Sequence, residues 1–201
     1  MMAQPVRCSR RLQSSLLRAV FEGCADAYAG AKSRGKTWMF DAIPTYRRLE
    51  VEARLQGLVP EPGFKVSLGE TPSTHYTQIE SDLIVITAVT RSQSVTWVPP
   101  YKYRETLATS GQLDWLSPVV PQVGAKLYAL LIYGGRHHVK YPTLVQIVFP
   151  DPLGNFAPGT IDLRAEFPEI VKAYMPPETE AAEPEVALRS KRKKQDGTDG
   201  A

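Results

Sequence analysis

The chain reads as an α+β domain in which two N-terminal helices pack on a mostly antiparallel sheet, with one C-terminal helix. Three observations predict this. Apolar residues recur at spacings of three and four from Arg10 to about Arg34. Beyond Pro60 the helical pattern gives way to short apolar runs. The link between the last two long runs, Gly134 to Thr143, opens Gly-Gly and is too short for a helical crossover, so those strands are antiparallel neighbours.

The first helix carries its stripe on Leu12, Leu16, Val20, Cys24, Tyr28 and Ala31, widened by Leu17, Phe21 and Ala27. Ser9 is its N-cap and Gly35 its stop. A second helix is expected from Pro44, a residue suited to a first turn, to Gln56, with Gly57 after it. Its polar face is read as Arg47, Arg48, Glu50 and Glu52, charges of mixed sign that compensate one another. Gly63 to Leu68 and His75 to Ile79 are short strand candidates. Leu83–Val89, Leu127–Tyr133 and Leu144–Phe149 are nearly continuous apolar runs, as in strands covered on both faces. A final helix is expected from Arg164 or Pro168 to Tyr174. Between these elements, Thr90 to Ala125 holds four prolines and no long periodic stretch, and reads as one long irregular loop.

A single domain over residues 1–175 and a disordered charged tail over 176–201 follow from composition. The tail is acidic first (Glu178, Glu180, Glu183, Glu185) and basic later (Arg189, Lys191 to Lys194), without aromatics. Apolar content of 43% and charged content of 22% are those of a globular protein. The longest apolar runs are about seven residues, short of the ~20 a membrane helix needs, so no membrane partner is expected. Two cysteines and no visible secretory signal suggest a reducing interior, cytoplasmic or, in a host with a nucleus, nuclear. Positive charge is concentrated early: residues 1–60 hold ten Lys/Arg against five Asp/Glu. That asymmetry suits an anionic partner.

Gly30 to Thr37 reads G-A-K-S-R-G-K-T and satisfies the phosphate-loop pattern, with Gly30, Gly35, Lys36 and Thr37 as its nucleotide-binding residues. Such a loop follows a buried strand, whereas the residues before Gly30 are helical in pattern, and Pro44 follows closely. The plainer reading is a basic turn between two helices. Pro150-Asp151, followed by Asp162-Leu163-Arg164, resembles a degraded PD-(D/E)-x-K nuclease motif. That resemblance implies Mg²⁺ held by Asp151 and Asp162 for metal-assisted hydrolysis. Arg164 stands where the motif has lysine, and arginine is a poor base. The plainer reading is a loop aspartate and a helix-capping one. His75-Tyr76-Thr77 lacks the second copy that two-histidine phosphoesterases need, and the adjacent His137 and His138 point apart on a strand. No resident metal or cofactor is expected.

Trp97-Val-Pro-Pro-Tyr-Lys-Tyr-Arg104 interleaves aromatics with cations. Trp97, Tyr101 and Tyr103 can stack on bases or on peptide prolines, while Lys102 and Arg104 hold phosphates. Alternatively the aromatics pin the loop to the sheet. Arg10, Arg11, Arg18, Lys32, Arg34 and Lys36 of the first helix add a basic surface. A non-catalytic binding module for nucleic acid or a protein partner is the expectation; a Mg²⁺ nuclease and a nucleotide-binding protein are the alternatives.

Overall fold

Periodicity and capping place the first helix correctly. In the computed structural model, which describes residues 9–33, 36–59, 62–71, 74–91, 96–99, 101–111, 126–136 and 139–175, α1 spans Arg10–Ser33. Ser9 caps it, the Leu12 N–H donating to Ser9 Oγ at 3.0 Å. Its stripe, with Leu16, Leu17, Val20, Phe21, Cys24 and Ala27, is buried.

The second helix, α2, spans Lys36–Gln56 and so begins before Pro44, which lies inside it. Proline lacks the N–H that would bond back to the carbonyl four residues earlier, a cost of about 3 kcal/mol in a helix interior. Burial on both sides of Pro44 offsets that cost: Ile43, Val51 and Leu55 are all in the core. At Gly23 a Cβ would stand 2.7 Å from Val51 Cα, so α1 and α2 meet there backbone to backbone.

The sheet has six strands in the order β1-β2-β3-β4-β5-β6: β1 (Lys65–Thr71), β2 (Thr74–Glu80), β3 (Ile84–Arg91), β4 (Leu127–Gly134), β5 (Leu144–Val148) and β6 (Ile161–Asp162). All neighbouring pairs are antiparallel except β3–β4. The predicted antiparallel β4–β5 pairing is present. The two-residue β6 has no periodic signal and is visible only through its partner β5.

The run from residue 90 to 125 is not one irregular loop. It contains α3 (Lys102–Gly111), within the crossover that a parallel β3–β4 pair requires. Both faces of the central strands are covered. Ile84, Ile86, Leu131, Tyr133 and Ile147 pack under α1 and α2, while Val85, Tyr128, Leu130, Ile132 and Val148 pack with Ala108 of α3 and with Val98, which precedes that helix. The C-terminal helix is two pieces, α4 (Leu163–Glu166) and α5 (Pro168–Tyr174), broken at Phe167. Tyr174 closes α5 onto α1, its ring tilted against Phe21 with centroids 5.3 Å apart and its hydroxyl donating to Glu22 Oε1 at 2.8 Å. Residues 176–201, His137 and His138 lie outside the described residues, and among those described no helix is long and apolar enough to cross a membrane.

Arg47 is not on a polar face. It is 1% exposed and lies on the buried stripe, four residues from both Ile43 and Val51. Its guanidinium donates to the carbonyls of Gly135, Arg136 and Val139, holding the β4–β5 connection against α2.

Candidate functional site

A fork in the sheet makes the site. β2 and β3 pair only where Gln78, Ile79 and Glu80 face Thr87, Ile86 and Val85. Farther along, His75, Tyr76 and Thr77 remain on β1, opposite Glu70, Gly69 and Leu68, while Ala88 to Arg91 remain on β4. The backbone groups in the opening must find partners outside the ladder. Glu52 of α2 supplies one: the Thr77 N–H donates to its Oε2 at 2.7 Å, and Thr77 Oγ1 donates to its backbone carbonyl at 3.3 Å. Glu52, read from the sequence as a solvent-facing charge, is therefore a wall of the fork. Burial pushes its carboxyl above the usual range, with the Thr77 bonds and Arg48 pulling the other way.

From the other side α3 brings an aromatic ladder. Tyr103 stacks on Tyr76 with ring centroids 4.4 Å apart, and Tyr101 lies nearly parallel to Tyr103 at 6.3 Å. Tyr76 reaches this position across Gly69, where a Cβ would stand 2.4 Å from the ring. Burial raises the pKa of both Tyr76 and Tyr103, so these rungs stay neutral phenols. Tyr101, the outer rung, is 52% exposed.

A cavity of about 750 Å³ opens between these parts. Four cations line it, Arg48, Arg91, Lys102 and Arg104, against the two carboxylates Glu52 and Glu70. Arg104 is 6% exposed and already committed. Its Nε donates to Tyr103 Oη at 3.0 Å, its Nη1 to the Pro99 carbonyl at 3.4 Å, and its guanidinium lies 4.8 Å from the Tyr101 ring centroid. Arg91 is less satisfied. Its Nη1 reaches only the Thr90 carbonyl, its Nη2 is buried without a partner, and neither Arg91 nor Arg104 pairs with a carboxylate among the described residues. Burial and then the charge of Arg104 lower the Arg91 pKa. An anion delivered here would relieve both.

The structure gathers some of the sequence-predicted residues and separates others. Tyr101, Lys102, Tyr103 and Arg104 line the cavity. They belong to α3 and its entry rather than to an irregular loop. Trp97 does not line it. Its backbone bridges Asn155 and its indole N–H donates to the Leu153 carbonyl at 2.9 Å, which anchors the chain to the Asp151–Asn155 turn while leaving the ring 47% exposed. Arg10, Arg11, Arg18 and Lys32 are exposed on α1 and none lines the cavity. Arg10 donates to the Glu166 carbonyl at 3.2 Å and covers the Phe167 ring.

Gly30 lies in the last turn of α1, and Lys36 and Thr37 open α2, so a helix stands where a phosphate loop needs a strand. Arg34, Gly35 and the side chains of Lys36 and Thr37 lie outside the described residues. Asp151 accepts from the Asn155 N–H at 2.8 Å within its turn, and Asp162 caps α4 through the Arg164 and Ala165 N–H groups. Arg164 donates to the Thr143 carbonyl. No cluster of three or more His, Cys, Asp or Glu suited to a metal occurs among the described residues.

The sequence reading missed Arg48, Glu52, Glu70 and Arg91 as cavity residues and set His75 and Tyr76 aside as an incomplete phosphoesterase motif. Only the stretch from Tyr101 to Arg104 carries a local signal; the others are brought in by strand pairing and helix packing. No protein-family model, curated protein or solved structure matches the chain, so its own geometry carries the functional reading.

Proposed function

We propose that the protein is a non-catalytic module that binds single-stranded nucleic acid at the β2–β3 fork. One observation carries the reading: a ladder of three tyrosines ends in a half-exposed ring beside a cation-rich cavity whose Arg91 has no anionic partner among the described residues. Aromatic faces accept any base by stacking, and neighbouring cations hold the phosphates between bases. Tyr101 supplies the stacking face, and Lys102 and Arg91 supply the phosphate contacts. The α1 cations Arg18 and Lys32, exposed away from the cavity, add sequence-independent attraction.

The test is fluorescence polarisation with a labelled oligothymidine at two salt concentrations. Tyr101→Ala is expected to weaken binding by ~1–3 kcal/mol. Lys102→Ala is expected to flatten the dependence of log affinity on log salt by about one unit, as one released counterion requires. If wild-type protein shows no binding at low salt, the fork serves a protein partner instead.

A further inference from the structure

Resting on that reading, we infer that the fork selects guanine, with Glu52 accepting from the donor edge of the base. Thr77 is the only hydrogen-bonding partner of the Glu52 side chain among the described residues, and its N–H occupies Oε2. Oε1 accepts no hydrogen bond from the described residues, and Glu52 lines the cavity. An ionised carboxylate only accepts hydrogen bonds. The bases differ in what their Watson–Crick edges offer it. Guanine presents two adjacent donors, N1–H and the N2 amine. Adenine and cytosine each place an amine beside an acceptor nitrogen, and thymine places its N3–H between two carbonyls. A carboxylate therefore meets repulsive lone pairs on every base except guanine.

The surroundings suit this task. Glu52 sits at the α2 wall of a cavity also lined by tyrosine rings, cations and a second carboxylate, Glu70, so a base can enter edge-first while its phosphates stay among Lys102 and Arg91. The Thr77 N–H and carbonyl contacts fix the Glu52 backbone and carboxylate together, which preorganises the acceptor. Unstacked bases read on this edge while resting against aromatic rings are a general mode of single-strand recognition.

The experiment uses the full chain and thymidine oligomers of equal length that differ in one central base: guanine, inosine, 2-aminopurine, adenine or thymine. Wild type is expected to prefer guanine over adenine by about tenfold or more, as two matched donors imply. Inosine, which lacks the N2 amine, and 2-aminopurine, which lacks the N1–H, should fall between. In Glu52→Gln the amide oxygen can still accept from Thr77 N–H, so the fold is retained, a point checked by thermal melting. The free end then presents an amine, and the guanine-to-adenine ratio should fall to about one. If Glu52→Gln does not fold, the analogue series on wild type decides alone. Equal binding of all five oligomers overturns the guanine assignment and leaves single-strand binding standing. A guanine preference that survives Glu52→Gln also overturns it, because another group is then reading the base. Absence of binding to every oligomer at low salt removes the proposed function, and this inference with it.

Discussion

A single residue, Arg47, decides how the helical layer holds the far end of the sheet. It carries a charge into the core with no carboxylate beside it among the described residues and spreads that charge over three carbonyls of the β4–β5 connection. Its Nε is buried without a partner. Removing the side chain orphans those carbonyls and opens a void under Ile43 and Val51. Arg47→Ala is therefore expected to destabilise the fold by roughly 2–4 kcal/mol. Arg47→Met, which keeps the stem, should cost less, and the two urea midpoints give the order. Cys24 shows the same interior from the other side: burial pushes its thiol up to about 12, with Arg47 pulling the other way. Burial also holds Tyr133 well above the ordinary tyrosine value. The sign follows directly. Above pH 9 the unfolded chain releases protons that the native state retains, so stability declines as pH rises. A melting series from pH 8 to 10.5 should show a falling midpoint, and Cys24 should react with a thiol reagent at pH 8 only after denaturant is added.

At the scale of elements, the fork depends on two strands parting and on α3 packing against the sheet face away from α1 and α2. β1 and β2 stay paired to the hairpin because Gly69 leaves room for the Tyr76 ring, which in turn seats Tyr103. Gly69→Ala must turn the Tyr76 ring out of the ladder. The expected stability cost is small, about 1 kcal/mol, since the ring can swing toward solvent. The near-ultraviolet circular dichroism of the stacked tyrosines should nonetheless change, and oligonucleotide affinity should fall further than stability does. Unchanged dichroism would mean that the ladder does not rest on this glycine. α2 shows how packing outweighs a local breaker, continuing through Pro44 with Ile43 before it and Val51 and Leu55 after it buried.

Over the whole molecule, the C-terminal helices tie the last strand back to the first helix. Phe21, Tyr141 and Tyr174 form an aromatic cluster between α1, α5 and the β4–β5 connection, and Arg10 bonds the end of α4. A chain ending at Met175 should melt at the temperature of the full chain, because residues 176–201 contain no aromatic residue with which to add to the core. A chain ending at Phe167 should lose the Ile170 and Tyr174 contacts and melt well below it; differential scanning calorimetry on the two truncations checks both. The sequence by itself determined the α+β class, the extent of α1, the central strands and the antiparallel β4–β5 pair. These rest on local periodicity and link length, which act within a few residues. Arg47 was within reach of the same logic, since it continues a strict spacing of four with Ile43, Val51 and Leu55, but its charge disguised it. The start of α2, the parallel β3–β4 pair, α3 and the fork were decided by tertiary structure alone. Each depends on partners far along the chain: Glu52 with Thr77, Tyr76 with Tyr103, Arg47 with Val139. Contacts at such separations leave no periodic trace, because they reflect which surfaces remain uncovered once the local elements have packed.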